Sequence, residues 1–85
     1  MLFRSAGDTL LAAQAQGPLV SVRRRPLGAA RWGDDRVLFD AALRTHGQLV
    51  EGLGVYAEGR RATIAIAMSD GLHVLSSVDA GETWR

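Results

Sequence analysis

The sequence predicts an all-β, antiparallel fold. Three observations lead there. Short runs of alternating apolar residues are separated by Gly, Pro and Asp punctuation. A strand–turn–strand–loop–Trp unit occurs twice, just over fifty residues apart. Near the C-terminus, Ser77-Val78-Asp79-Ala80-Gly81-Glu82-Thr83-Trp84 has the composition of a tight β-turn with a Trp folded over it.

In chain order, Leu2-Phe3 can end a strand and Gly7-Asp8 reads as a turn. Residues 9–15, TLLAAQA, form the next strand, and Gln16-Gly17-Pro18 stops it. Residues 19–23 alternate and read as its partner. Residues 24–28, RRPLG, read as a loop leading towards Trp32. Near the other end, residues 63–69 are a strand, Asp70-Gly71 a hairpin turn, and residues 72–76 the returning strand. Thr9 and Thr63 lie 54 apart, as do Gly17 and Gly71, whereas Trp32 and Trp84 lie 52 apart. The expectation is therefore two repeat units, 9–32 and 63–84, with two extra residues in the first loop. A period near fifty residues marks a propeller or a repeat array.

The middle admits two readings. Asp34-Asp35 could cap a helix over residues 35–51, with Val37, Leu38, Ala41, Ala42 and Leu49 in partial helical spacing. Against it stand Gly47, Gly52 and Gly54. The preferred reading is strand over 36–44, with Val37, Phe39, Ala41 and Leu43 on one face. His46-Gly47 is then a turn, and 48–57 the return strand.

The totals bound the function. Eighty-five residues make one domain. There is no Cys, hence no disulfide, thiolate metal site or Cys nucleophile. All ten basic residues are Arg. Residues 1–33 hold five Arg and one Asp, a net +4, and residues 34–85 hold five Arg and eight acids, a net −3. No apolar run approaches the length of a membrane span. The Leu10-Leu11-Ala12-Ala13 run imitates a signal peptide, but Gly7 and Asp8 interrupt it, so no signal is expected. The localisation is not readable.

The S-x-D-x-G-x-T-W pattern of residues 77–84 resembles the Asp-box, or BNR repeat, of sialidase-like β-propellers. The resemblance covers one hairpin. It implies about two propeller-like blades, residues 1–85 forming one partial β-propeller-like domain of a larger propeller. Ser77, Asp79, Gly81, Thr83 and Trp84 are its structural residues. Asp79 is expected to accept backbone N–H bonds, Gly81 to adopt a positive φ, and Ser77 and Thr83 to bond across the hairpin. The first unit lacks the pattern, so its turn is read as absent or decayed.

The function expected is that of a non-catalytic repeat segment, a scaffold or interaction module. Its partners would be the remaining blades or copies of itself, with a protein or glycan as a further partner. The alternative is a fragment of an exported sialidase-type glycoside hydrolase. Such an enzyme needs an arginine triad, a Tyr–Glu pair and an Asp acid/base. Here Tyr56 and Glu58 share one strand face by period-2 spacing. The family's N-terminal Arg-Ile-Pro is missing, and Arg24-Arg25-Pro26 is a poor substitute. A third reading is a small anion- or nucleic-acid-binding domain using Arg23, Arg24, Arg25 and Arg31. Trp32 is the only aromatic near that cluster, so nucleic acid is not expected. His46 and His73 lack metal-ligand spacing, with His73 read as the polar face of its strand. Asp34-Asp35 reads as a loop, and Gly52-Leu53-Gly54 lacks a phosphate-loop context. No catalytic residue, metal or cofactor is assigned.

Overall fold

The computed structural model describes residues 2–40 and 50–85. They form seven strands: β1 (Leu2–Ala6), β2 (Thr9–Gln16), β3 (Leu19–Pro26), β4 (Arg36–Asp40), β5 (Gly52–Glu58), β6 (Arg61–Met68) and β7 (Gly71–Ser77). Two antiparallel meanders result, a four-stranded sheet β1-β2-β3-β4 and a three-stranded sheet β5-β6-β7. The described residues contain no helix, so the strand reading of the middle holds for 36–40 and 52–57. The proposed His46-Gly47 turn and the positions of Ala41, Ala42, Leu43 and Leu49 lie outside the described residues. No described helix is long and apolar enough to cross a membrane.

Alternation builds the strands. Along β6, Ala62, Ile64, Ile66 and Met68 are buried while the intervening residues are only partly covered. Along β2 and β3, Thr9, Leu11, Ala13, Val20 and Val22 are buried. These two sets meet between the sheets, with Val55 and Phe39 completing the core. The sheets approach most closely along β1 and β5.

Four expectations are corrected. Arg24, Arg25 and Pro26 belong to β3 rather than to a loop: they pair with Leu11, Leu10 and Thr9. Pro26 is tolerated because it ends the strand, where no further ladder donor is required. Val37 and Phe39 do not share a face. Val20 pairs with Phe39 but Ser21 with Val37, which leaves Leu38 as an unpaired extra residue. This bulge reverses the alternation, so Phe39 is buried and Val37 is 58% exposed. The second hairpin turns at Ser69-Asp70, with Gly71 already paired to Met68.

The fourth correction concerns the repeat. The spacing is 52 throughout, with no extra residues in the first loop. Ala6 pairs with Thr9 across Gly7-Asp8, and Glu58 with Arg61 across Gly59-Arg60. Gly7 and Gly59 have φ of 61° and 58°. Gln16 pairs with Leu19, and Met68 with Gly71. After each Trp the chain returns to its third strand in the same way: Gly33 N–H donates to Arg24 O at 2.8 Å, and Arg85 N–H to Ser76 O at 2.9 Å. Aligning apolar residues at a spacing of 54 misplaces these turns by two positions.

At a spacing of 52, equivalent strand residues face opposite ways. Ala6 and Thr9 are buried, but Glu58 and Arg61 are exposed. Leu11, Val20 and Val22 are fully buried, while Thr63 is half-buried and Leu72 and Val74 are exposed. The first sheet therefore buries one face against the non-equivalent face of the second. The equivalent turns nonetheless lie side by side, since a Cβ on Gly7 would stand 3.1 Å from Arg60 Cγ. The two sheets stack in the same sense instead of meeting about a two-fold axis.

Candidate functional site

Residues 77–84 form a turn at the end of β7 that closes on itself. Ser77 Oγ–H donates to Asp79 Oδ1 at 2.7 Å and accepts from Gly81 N–H at 2.9 Å. Thr83 donates twice to the same carboxylate, its backbone N–H to Oδ1 at 2.9 Å and its hydroxyl to Oδ2 at 2.6 Å. Trp84 Nε1–H donates to Gly81 O at 3.0 Å, folding the indole over the turn. Ser77 and Thr83 thus meet through Asp79 and not through each other, because the carboxylate offers both hydroxyls a charged acceptor.

Two residues occupy the left-handed region. Gly81 has φ +86°, as expected. Ala80 has φ +57°, which its sequence neighbourhood did not signal. Its amide donates to Arg60 O at 2.9 Å and its carbonyl accepts from Arg24 Nε–H at 3.0 Å. Those two bonds hold a conformation that costs an L-residue about 1–2 kcal/mol. The turn is also the point at which the second unit grips the first. Arg36 Nη1–H donates to Glu82 O at 2.6 Å, and Gly81 lies against Leu11 of β2.

The first unit's loop keeps part of this plan. Leu27 N–H donates to Asp8 O, the counterpart of Arg60 O, but in the second unit that bond comes from Ala80, one residue past Leu27's counterpart Asp79; Gly28, the counterpart of Ala80, takes φ +85°. Leu27 thus stands where the second unit has its carboxylate, so the side-chain network is missing and the backbone path is kept with a one-residue offset.

Hydrogen bonds from the Thr83 hydroxyl, the Thr83 amide and Ser77 hold the Asp79 carboxyl well below the usual carboxylate range. A depressed folded-state pKa means that the unfolded chain binds the proton more readily. The stabilisation from Asp79 is then fully present above the ordinary Asp value of about 3.9 and is lost as pH falls below it towards the lowered folded value. Asp79→Ala is expected to lower the denaturation midpoint at neutral pH, with the difference from wild type shrinking in strong acid. Asp79→Asn should lose less, since its amide oxygen still accepts. Val78 is 70% exposed, and Val78→Thr should leave the midpoint unchanged. Denaturant unfolding of the four proteins at neutral and acidic pH reads this directly; equal midpoints for Asp79→Ala and wild type at neutral pH would contradict it.

The remaining candidates are spread over the molecule. Arg23, Arg24 and Arg25 alternate faces along β3. Arg23 Nε–H donates to Asp35 Oδ1 at 3.1 Å, Arg25 Nε–H to Ala29 O at 2.9 Å, and Arg24 reaches across to Ala80. Arg31 joins Arg24, Trp32 and Arg36 around a surface depression, with Asp34 at its margin. Asp35 is therefore an ion-pair partner, not half of a carboxylate pair. Tyr56 and Glu58 do share a face and line a second depression with Arg60, Arg61 and Thr63. His73 does not lie on the polar face of β7: it is half-buried, its ring centroid 5.2 Å from that of Phe39 and its Nε2 3.1 Å from Asp70 Oδ1. His46 lies outside the described residues. Among the described residues, no group of three or more His, Asp or Glu could hold a metal. Comparison of the chain with protein families, with curated protein sequences and with solved structures finds no match in any of the three.

Proposed function

We propose that the chain is a non-catalytic Asp-box β-propeller segment whose work is structural, as a scaffold or interaction module. The observation that carries this reading is the hydrogen bonding of Asp79 within its own turn. Three donors from its own turn occupy the carboxylate. A catalytic acid or base needs at least one oxygen directed at a substrate proton, with a pKa near the working pH. Asp79 has neither. The way the sheets stack supports the same reading. In a propeller each blade lays one face on the opposite face of the next, and the two sheets meet in that sense, the Leu11, Val20 and Val22 face of the first against the Ile64 and Ile66 face of the second.

The depression around Tyr56 and Glu58 favours a second reading, a fragment of a sialidase-type hydrolase. In that case one sheet would supply the nucleophile pair and other sheets the remaining groups. This chain by itself is expected to release no measurable product from aryl sialosides or aryl glycosides, because a glycosidic bond is cleaved only between groups held in register on both sides of it. Turnover that disappears in Tyr56→Phe would refute the scaffold reading. Unaltered absence of turnover, together with the loss of stability in Asp79→Ala, is the result the scaffold reading requires.

A further inference from the structure

We propose that the outer face of β5-β6-β7 is a docking surface for a second copy of this chain, covered by the outer face of that copy's β1-β2-β3-β4 sheet. The proposal rests on the propeller reading above and names the partner for it. The surface carries an exposed apolar patch, with Tyr56 67% exposed, Leu72 65% and Val74 51%, bounded on one side by Glu58 and Arg61. Thr63 and Ala65 stand between them on β6, paired with Tyr56 and Val74.

The occupant follows from the interface inside the molecule. At a spacing of 52, Thr63, Ala65, Leu72 and Val74 are the equivalents of Leu11, Ala13, Val20 and Val22. Those four residues are buried against the second sheet. The surface that covers them carries Ile64 and Ile66, whose equivalents on the first sheet are Ala12 and Gln14. These lie on the same outer face as Phe3, which is 50% exposed with its ring 6.1 Å from that of Trp32. The molecule thus contains one heterologous contact; the outer face of the second sheet repeats the positions of its Leu11, Ala13, Val20 and Val22 half, and the outer face of the first sheet offers an apolar patch of Phe3, Leu10 and Val37 around the buried Ala12, with Gln14 and Arg23 where the covering sheet has Ile66 and Leu75. A second copy placed as the second sheet is placed on the first satisfies one half on each copy.

A contact of this kind either closes into a ring or runs on as a filament. The molecule is 40 × 22 × 18 Å, with the two sheets closest along β1 and β5. The sheets also meet at their last strands, where the Phe39 ring of β4 lies 5.2 Å from the His73 ring of β7, so a second copy placed in the same way continues the same stacking. Propellers close at about four to eight sheets, which is about two to four copies of a two-sheet chain.

The test is the mass of the folded chain in solution, by light scattering and sedimentation from micromolar to near-millimolar protein. The expected result is a concentration-dependent species of about two to four copies. Val74→Glu should hold the protein monomeric with an unchanged circular dichroism spectrum, since the side chain is exposed in the single chain. Phe3→Glu should do the same from the other face. Ser5→Arg, exposed on that face, repeats the test without touching the Phe3–Trp32 contact. Mixing Val74→Glu with Ser5→Arg should restore a pair that stops at two, because each variant retains the half that the other lacks. A wild-type chain that stays monomeric throughout overturns the proposal. So does a Ser5→Arg variant that still self-associates, which would mean that like faces pair. Either result leaves the scaffold reading standing, because that reading fails only on glycosidase turnover or an Asp79→Ala variant of unchanged stability.

Discussion

Adding one methyl group at Gly81 is expected to destabilise the protein by about 2–5 kcal/mol. Two independent causes combine. The residue sits at φ +86°, where an L side chain costs about 1–2 kcal/mol. A Cβ there would also stand 2.8 Å from Leu11 Cδ2 and 3.4 Å from Trp84 Cζ2. Leu11 is fully buried, so it yields only by leaving its packed rotamer, which costs about 1–3 kcal/mol more. Gly17 provides the control. Its φ is +59° and nothing lies within 4 Å of an added Cβ, so Gly17→Ala should show the backbone cost alone. Denaturant midpoints of the two variants separate the terms. Equal losses would mean that Leu11 moves freely and that the turn does not press on the first sheet. Repeating Gly81→Ala in a Leu11→Ala background should bring its cost down towards that of Gly17→Ala.

Ile64→Ala is expected to cost about 2–5 kcal/mol, the range for emptying a buried branched site. Ile64 is fully buried in the middle of β6, paired with Val55 and Leu75, and it faces the first sheet. A chain of 85 residues has a total stability of roughly 4–13 kcal/mol, so this one truncation can unfold much of the population. Leu10→Ala is the informative comparison. A spacing of 54 would make Leu10 the equivalent of Ile64, buried in the same way. At the observed spacing Leu10 lies on the outer face and is only half-buried. In dilute protein its truncation should cost well under half as much. Equal costs would contradict the opposed facing of the two units.

The strands were legible because alternation and turn chemistry are local. Gly7-Asp8, Gln16-Gly17-Pro18 and the 77–84 pattern each mark a turn that the fold contains, and Gly52 and Gly54 lie in strand β5. What failed was information that local pattern does not carry. Alternation gives the period of a strand but not which of its faces is covered, so His73 and Arg24 could not be assigned inward. One unpaired residue, Leu38, reversed the faces of β4 with no Gly or Pro to announce it. Apolar residues align at a spacing of 54 while the turns repeat at 52, so apolar identity alone gives the wrong repeat. Within the turn, the roles of Asp79, Gly81 and Trp84 were legible from residue chemistry. The left-handed Ala80 was not, since its conformation is held by Arg60 and Arg24, which are distant in sequence.

The opposed facing of the two units has a consequence for how their sequences can change. A residue that packs between the sheets in one unit stands at a position on an outer face in the other. Ile66 corresponds to Gln14, and Leu11 to Thr63. Drift in the strands is therefore steered in opposite directions in the two copies. The first hairpin turns escape this, because Gly7 and Gly59 take the same left-handed conformation in both. A duplicated unit built this way loses its family likeness strand by strand while its corners stay recognisable.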